Sequence, residues 1–198
     1  MAIDPVRQIA VVPVNRLAAM VQLIPRDGFD LEKARAAEQR LGDDFEYNFM
    51  HGTPYIMRRR ILLAPSRVPC TPPPFGTLVA VSLKSGERLW EVPLGGASAI
   101  LPPELATKAQ PNWGSPNLGG PIATAGGLIF IGATLDKSLR AFDIETGREL
   151  WRGPLPAGAR ATPMTYVLGG RQFVVIAVGG NEDWGKGDYI VAFSLPAK

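Results

Sequence analysis

Few residues of this chain have side chains suited to catalysis or metal binding. The 198 residues include one histidine, His51, and one cysteine, Cys70. A zinc site is not expected, because such sites combine several histidine, cysteine or carboxylate ligands. A single cysteine also excludes an internal disulfide. A Ser-His-Asp or Cys-His arrangement would have to use His51, and the sequence around it does not favour such a role.

The charged residues suggest solvent-facing positions more than a reactive site. Arginines at 58–60 could bind phosphate, but without interleaved aromatic residues they indicate a solvated edge, so no nucleic-acid partner is predicted. Glu32 and Glu38 are expected to be solvated helix charges and not an acid–base pair. We expect Cys70 to be a small buried hydrophobic residue. The sequence therefore predicts no catalytic residue and no metal ligand within this chain.

A repeated segment indicates how the chain is organised. Residues 78–90 and 139–151 share the order strand, Gly turn and second strand, and they end at Trp90 and Trp151. Repetition of such a corner at a long interval is typical of a β-propeller or another stacked array. Residues 188–195 match the first strand of the corner, and residues 17–24 occupy the corresponding place in a looser register.

Apolar runs precede these corners and are expected to be their antiparallel partners. They are residues 8–14, 127–132 and 172–178. Paired glycines at 126–127 and 169–170 are hairpin turn signals ahead of two of these runs. Because the runs are nearly continuous, both faces of each sheet should be covered, as happens between stacked blades.

Helical structure and long loops interrupt this β pattern. Residues 30–41 are rich in helix formers and predict a short surface helix inserted in a connection. Residues 65–75 and 102–121 are rich in proline and predict ordered loops, which in propellers commonly carry function. With 46% hydrophobic and 20% charged residues, the chain has the composition of a folded globular protein. No apolar stretch approaches the ~20 residues that span a bilayer.

Several segments in a fixed order point to a known family. They include Pro-Pro-Phe-Gly at 73–76, Leu-Gly-Gly-Pro at 118–121 and Thr-Pro-Met-Thr-Tyr at 162–166, and further matches lie at 15–17, 23–25, 52–55, 90–95, 139–142, 155–158 and 187–193. In these segments the chain resembles the C-terminal part of the quinoprotein dehydrogenases that use pyrroloquinoline quinone (PQQ). The similarity is greatest to the membrane-bound glucose dehydrogenase branch.

The resemblance implies an all-β fold, an eight-bladed propeller of which residues 1–198 form about three to four four-stranded C-terminal blades. Trp90 and Trp151 would then dock against neighbouring blades. It also implies PQQ with calcium as cofactors, a carboxylate that takes the proton of a sugar or polyol hydroxyl, and ubiquinone as the electron acceptor. Full-length family members are periplasmic and membrane-associated, although the start of this chain does not have the pattern of a signal peptide.

Four residues are carried over from the family as candidate cofactor contacts. Asn15 aligns with an asparagine that approaches the quinone edge and could donate its amide hydrogens to a quinone oxygen; the alternative is a turn residue between two strands. Leu118, followed by Gly119, stands where related alcohol dehydrogenases place a tryptophan that faces the ring; the alternative is a simple turn at a strand entry. Trp184 lies in the family's last loop and would either cover a ring face or fill an edge of the final blade.

The catalytic base and the calcium ligands are expected outside this chain in such an alignment. This chain also departs from family members that carry a histidine in the last loop. The isolated chain is therefore expected to be inactive. Two other hypotheses stay open: a non-enzymatic propeller scaffold, and a subunit that completes its ring with a separate chain supplying the N-terminal part.

Overall fold

A computed structural model describes residues 1–41, 45–180 and 185–196 of the chain. In chain order the strands are β1 (Ala2–Asp4), β2 (Ile9–Asn15), β3 (Ala19–Pro25), β4 (Glu46–Phe49), β5 (Tyr55–Ile61), β6 (Gly76–Ser82), β7 (Arg88–Pro93), β8 (Ile122–Ala123), β9 (Leu128–Ile131), β10 (Ser138–Asp143), β11 (Glu149–Pro154), β12 (Met164–Leu168), β13 (Arg171–Val178) and β14 (Tyr189–Ser194). The helices are α1 (Leu31–Leu41) and a single turn, α2 (Pro103–Ala106), with two short 3₁₀ turns at Ala97–Ile100 and Pro111–Trp113.

The chain divides into two compact units. The first comprises residues 1–16 and 72–198, and the second comprises residues 17–71. Within the described residues, the first unit holds three antiparallel sheets, with strand orders β1-β2-β6-β7, β8-β9-β10-β11 and β12-β13-β14. The first two are complete four-stranded blades, and the third has three strands.

Both Trp corners form as predicted. β6 pairs with β7 and β10 pairs with β11, and each pair has a shift of register just before the turn. The predicted antiparallel partners are also present for the second and third sheets, since β9 pairs with β10 and β13 pairs with β14. Gly169 and Gly170 have φ angles of 56° and 75° in the hairpin between β12 and β13, a conformation that glycine adopts without steric cost.

The core lies between successive sheets. One cluster joins the first and second blades, and it includes Val11, Leu78, Ile129 and Phe142. A second cluster joins the second and third sheets around Leu139 and Ile176. The second blade contributes to both clusters, so both of its faces are covered, as expected from its apolar runs. For the third sheet the expectation of two covered faces is wrong within the described residues, because β13 alternates between buried and exposed positions and β12 is exposed throughout.

Trp90 connects the first blade to the corner of the second. Its indole nitrogen donates a hydrogen bond to the Ile144 carbonyl at 2.9 Å. A Cβ atom on Gly147 would lie 2.6 Å from Cε3 of the Trp90 ring, so the indole needs a glycine beneath it. Trp151 packs edge-on against Phe193 of the third sheet, with ring centroids 5.0 Å apart. Both tryptophans are therefore docking residues between sheets.

The second unit is an insertion between the second and third strands of the first blade. The chain leaves after β2 and returns before β6, and these two strands pair directly. The Arg16 amide donates a 2.9 Å hydrogen bond to the Phe75 carbonyl, so the two ends of the insertion meet. Within the insertion the strand order is β3-β5-β4. Asp30 caps α1, because its Oδ1 accepts hydrogen bonds from the Glu32 and Lys33 amides at 3.0 and 3.1 Å.

This insertion corrects the interpretation of residues 17–24 as a loose copy of the corner. β3 pairs with β5 inside the insertion, and it does not pair with β2. Its strand-like sequence was mistaken for a blade strand because the true partner follows only after α1 and β4. The predicted helix over 30–41 is confirmed as α1.

Three further expectations for the residues of the insertion are wrong. Glu38 is buried, not solvated, since it accepts a hydrogen bond from the Tyr47 hydroxyl and lies 3.9 Å from Arg58. Burial and this bond raise the pKa of Tyr47. Cys70 is exposed, not buried, and it follows an isolated bridge between Leu63 and Pro69. Arg58 is half-buried and lies 4.6 Å from the centre of the Phe45 ring, so the predicted solvated edge is wrong for this residue.

Candidate functional site

The candidate cofactor residues that can be described lie at one edge of the first unit. β2 ends at Asn15, β9 ends at Ile131 and β13 ends at Val178. Hydrogen bonds link the segments beside these ends, from Asn15 through Asn117 and the loop at 133–134 to the segments at 158–159 and 180. The Ala133 amide donates to the Ala159 carbonyl at 2.8 Å. We call this set of strand ends and loops the Asn15 edge.

Asn15 and Asn117 hold one another by two hydrogen bonds. The Asn15 Nδ2 donates to the Asn117 carbonyl at 2.8 Å, and the Asn117 amide donates to the Asn15 Oδ1 at 2.8 Å. Asn15 is the last residue of β2 and is exposed, and the connection to β3 begins at the next residue. An asparagine amide carries two hydrogens, and within the described residues Asn15 uses one of them, which leaves the other for a further acceptor.

Asn117 is a functional candidate that sequence reasoning missed. It is only 4% exposed, and its side-chain Nδ2 donates to the Val14 carbonyl at 3.1 Å. Its backbone forms an isolated antiparallel bridge with Thr134. The one sequence signal was its place immediately before Leu118 in the segment that carries the resemblance. Its partners lie about a hundred residues away, so local pattern could not assign its role.

Leu118 and Gly119 continue the same edge. The Leu118 side chain is 46% exposed, and its amide donates to the Ala133 carbonyl at 2.9 Å. Gly119 has a φ angle of 137°, and a Cβ there would lie 2.8 Å from the Arg160 carbonyl oxygen. The close approach that requires this glycine is therefore made by the protein's own backbone. Leu118 remains an apolar side chain beside the Asn15–Asn117 pair.

Trp184 lies outside the described residues, so the structure does not place its side chain. Two backbone hydrogen bonds define the base of its loop. The Gly187 amide donates to the Gly179 carbonyl, and the Gly180 amide donates to the Gly158 carbonyl, both at 2.9 Å. The loop that carries Trp184 therefore begins and ends at the Asn15 edge.

A buried ion pair, Arg140 with Asp136, lies next to this edge. The Arg140 guanidinium is fully buried and donates hydrogen bonds to both carboxylate oxygens of Asp136 and, at 2.9 Å, to the Thr134 hydroxyl. Burial alone would raise the pKa of Asp136. The hydrogen bonds and charge of Arg140, with those from the Thr134 hydroxyl and the Gly96 amide, outweigh burial and hold that pKa below its ordinary value. Asp136 is therefore a carboxylate at neutral pH.

The described residues supply neither a metal cluster nor a membrane span. Across residues 1–41, 45–180 and 185–196, no three histidine, cysteine, aspartate or glutamate side chains are grouped so that they could hold an ion. No helix in the same ranges has the length and apolar character needed to cross a membrane. The Asn15 edge offers the Asn15 side-chain amide as a donor and the Leu118 side chain as an apolar surface, which suit one side of a flat, oxygen-bearing cofactor.

Comparison with known proteins identifies this kind of propeller. The family model described as "PQQ: Glucose/ethanol/alcohol dehydrogenase, beta-propeller domain" matches residues 1–174. The chain belongs to this family of PQQ-dependent dehydrogenases, which confirms the resemblance seen in the sequence.

Individual relatives match almost the whole chain. It is 39% identical to the quinoprotein glucose dehydrogenase of Escherichia coli (strain K12), over 98% of this chain and 25% of that protein. It is 40% identical to quinoprotein glucose dehydrogenase A of Acinetobacter calcoaceticus, over 99% of this chain and 24% of that protein. It is also 40% identical to the probable quinate dehydrogenase (quinone) of Xanthomonas campestris pv. juglandis, over 98% of this chain and 25% of that protein. The chain thus spans about a quarter of the length of the curated relatives it matches.

Solved structures support the fold. A quinohemoprotein alcohol dehydrogenase from Comamonas testosteroni matches with a TM-score of 0.55 at 23% identity, over 97% of this chain and 25% of that chain. A europium-containing methanol dehydrogenase also gives a TM-score of 0.55 at 22% identity, over 90% of this chain and 24% of that chain. The prediction of a partial quinoprotein propeller is confirmed.

Proposed function

We propose that this chain forms the C-terminal blades of a PQQ-dependent dehydrogenase that oxidises a hydroxyl group of a sugar or polyol. In this proposal residues 1–198 belong to one propeller, and residues 30–41 form a surface helix in its insertion. The observation that carries it is the identity of about 40% to two glucose dehydrogenases over essentially the whole chain. The Asn15 edge supports it, because Asn15 and Leu118 expose a donor and an apolar side chain side by side.

The residues present fit one side of PQQ. Its ortho-quinone oxygens are hydrogen-bond acceptors, and the second Nδ2 hydrogen of Asn15 is a donor held in a fixed direction by Asn117. Leu118 would present an apolar surface to the ring plane, with Gly119 next to it. Trp184 is kept as a proposed ring contact through its place in the loop. When bound, PQQ supplies the carbon that accepts a hydride from the substrate.

The work of this chain's own residues would be to orient the cofactor and exclude water. Asn15 would polarise a quinone oxygen by donating its amide hydrogen, and Leu118 would keep that face of the ring dry. The described residues lack a metal cluster, so we assign the calcium ligands and the proton-accepting carboxylate to the rest of the longer protein. Ubiquinone as the electron acceptor and a periplasmic, membrane-associated location are further parts of the proposal.

The third sheet supports a partner that completes the propeller. β14 pairs with β13 on one side, and in the described residues no strand pairs with its other side. An open edge presents unpaired backbone groups that favour another strand. We assign this position to the missing N-terminal part of the propeller, either in the same polypeptide or in a separate chain.

A chimera tests the proposal. The matching quarter of the E. coli glucose dehydrogenase would be replaced by this chain, and substrate-dependent dye reduction would be measured with PQQ and calcium added. We expect turnover with a sugar or polyol. A folded chimera that binds PQQ but oxidises no such substrate would contradict the proposal.

The same chimera separates the alternatives. Glucose and quinate are compared because relatives named for each substrate share about 40% identity with this chain. A control chimera carries Asn15→Leu, which keeps the size of the residue but removes the amide. It should bind PQQ more weakly. A non-enzymatic scaffold predicts that the substitution changes nothing and that no PQQ is bound.

A further inference from the structure

We propose that Arg140, acting through Asp136 and Thr134, is a positioning residue that holds the Asn15–Asn117 pair of the Asn15 edge in place. The inference rests on the proposed function only for the role of that edge. The contacts themselves involve no cofactor. Arg140 lies on β10, in the second blade, whereas Asn15 ends β2 in the first.

The Arg140 guanidinium is buried, and hydrogen bonds to Thr134 and Asp136 offset the cost of burying its charge, whereas its Nε makes no hydrogen bond within the described residues. It is 0% exposed, and a buried charge is costly unless it is paired and hydrogen-bonded. It donates to the Thr134 hydroxyl at 2.9 Å and to Asp136 Oδ1 at 3.0 Å, and its Nε lies 3.3 Å from Glu149 Oε2. The fork of the guanidinium therefore fixes the loop between β9 and β10.

That loop is in turn tied to the first blade. The Gly96 amide, in the segment that follows β7, donates to Asp136 Oδ2 at 3.0 Å. The Thr134 hydroxyl donates to Asp136 Oδ1 at 2.6 Å. A carboxylate held by Arg140 thus receives donors from two loops that belong to different blades.

Thr134 connects this hydrogen-bonded network to the Asn15 edge. Its backbone bridges Asn117, and Asn117 holds the Asn15 side chain by two hydrogen bonds of 2.8 Å. Asn15 itself is exposed at the end of its strand. Its amide direction is therefore set by Asn117, and the position of Asn117 depends on Thr134. Loss of the buried network should loosen the Asn15 amide even where the sheets remain intact.

The test follows the Asn15 side-chain amide of the chain by ¹⁵N NMR. Thr134→Val keeps the volume of the side chain but removes the hydroxyl. Thr134→Ser keeps the hydroxyl and removes only the methyl group. We expect the Asn15 Nδ2 hydrogen that is bonded to the Asn117 carbonyl to exchange with water about tenfold faster in Thr134→Val, and at the original rate in Thr134→Ser. Arg140→Lys should give an intermediate rate, since an ammonium cannot reproduce the fork.

A control separates positioning from general loss of stability. Asp143→Asn removes a carboxylate that accepts hydrogen bonds in the turn at the opposite end of β10, so it should destabilise the blade without changing the Asn15 amide. An unchanged Asn15 amide in a folded Thr134→Val chain would overturn the proposal. Equal changes in Thr134→Val and Asp143→Asn would overturn it too. If Arg140→Lys fails to fold, the two Thr134 variants still decide the question. Because no cofactor is added, this outcome is independent of whether the proposed function holds.

Discussion

The indole of Trp90 reaches from the first blade to the Ile144 carbonyl of the second, at a distance of 2.9 Å. Its ring lies over Gly147, a position that a larger residue could not occupy. One tryptophan thus joins the corner of its own blade to the corner of the next. The tryptophan that ends the repeated segment therefore also holds one blade against the next.

Replacing Trp90 with alanine should destabilise the first unit strongly. The change removes the hydrogen bond to Ile144 and leaves a cavity against the Gly147 turn, at a cost of about 3 kcal/mol in the free energy of unfolding. Trp151→Ala is the matched comparison. Trp151 is 39% exposed, so we expect a loss of about 1 kcal/mol. Urea unfolding measures both, and a loss of less than about 1 kcal/mol for Trp90→Ala would contradict its docking role.

A methyl group at Gly76 should be tolerated poorly. A Cβ there would overlap the Ser115 carbonyl oxygen, which is backbone and cannot turn aside. We expect Gly76→Ala to cost about 3 kcal/mol through displacement of the segment that leads to Asn117. Gly126→Ala is the control, because the nearest atom to its Cβ would be the Thr124 hydroxyl oxygen at 4.0 Å. It should change stability by less than about 0.5 kcal/mol.

Asp136 should make the free energy of unfolding depend on pH in the acid range. Burial would raise its pKa, but the partners Arg140, Thr134 and Gly96 lower it overall. For a carboxylate with a lowered pKa, the stabilisation is complete above the unfolded value of about 4 and is lost as the pH falls towards the folded value. The free energy of unfolding should therefore decrease below about pH 4.

Asp136→Asn removes this part of the pH dependence. The variant should be less stable at pH 7 by about 2 kcal/mol, because Arg140 loses a charged partner. The difference from the unsubstituted chain should shrink as the pH is lowered. Urea unfolding at several pH values measures it, and a difference that stays constant down to pH 3 would refute the assignment.

The isolated chain should not oxidise glucose. With PQQ, calcium and an artificial electron acceptor added, we expect no dye reduction above the rate without protein. The reason is that the proposed function assigns the calcium ligands and the proton-accepting carboxylate to the rest of the longer protein. Clear turnover by the purified chain would show that the catalytic groups lie among its own residues.

The sequence predicted those parts of the fold that depend on neighbouring residues. The corners that end at Trp90 and Trp151 were visible because strand, Gly turn and strand follow one another directly. The hairpin at Gly169 and Gly170 was visible for the same reason. The predicted helix over 30–41 formed because its composition and the cap at Asp30 are local signals.

The features that were missed depend on residues far apart in the chain. β3 was assigned to a blade because nothing in its own residues shows that its partner is β5. Glu38 was expected in solvent because Tyr47, which covers it, lies on a different element. The pair of Asn15 and Asn117 is the clearest case: one residue was a candidate by resemblance, and the other was found only through the hydrogen bonds between them.

The hydrogen bond between the Arg16 amide and the Phe75 carbonyl joins the two ends of the insertion, so residues 17–71 can be considered as one replaceable segment. Because its two ends already meet, a short turn could join them with little strain on β2 and β6. Because the entropy of loop closure changes only slowly with loop length, we expect the blade to tolerate either version. Protein engineers could therefore exchange residues 17–71 between relatives, and natural sequences could diverge there while the propeller around them is kept.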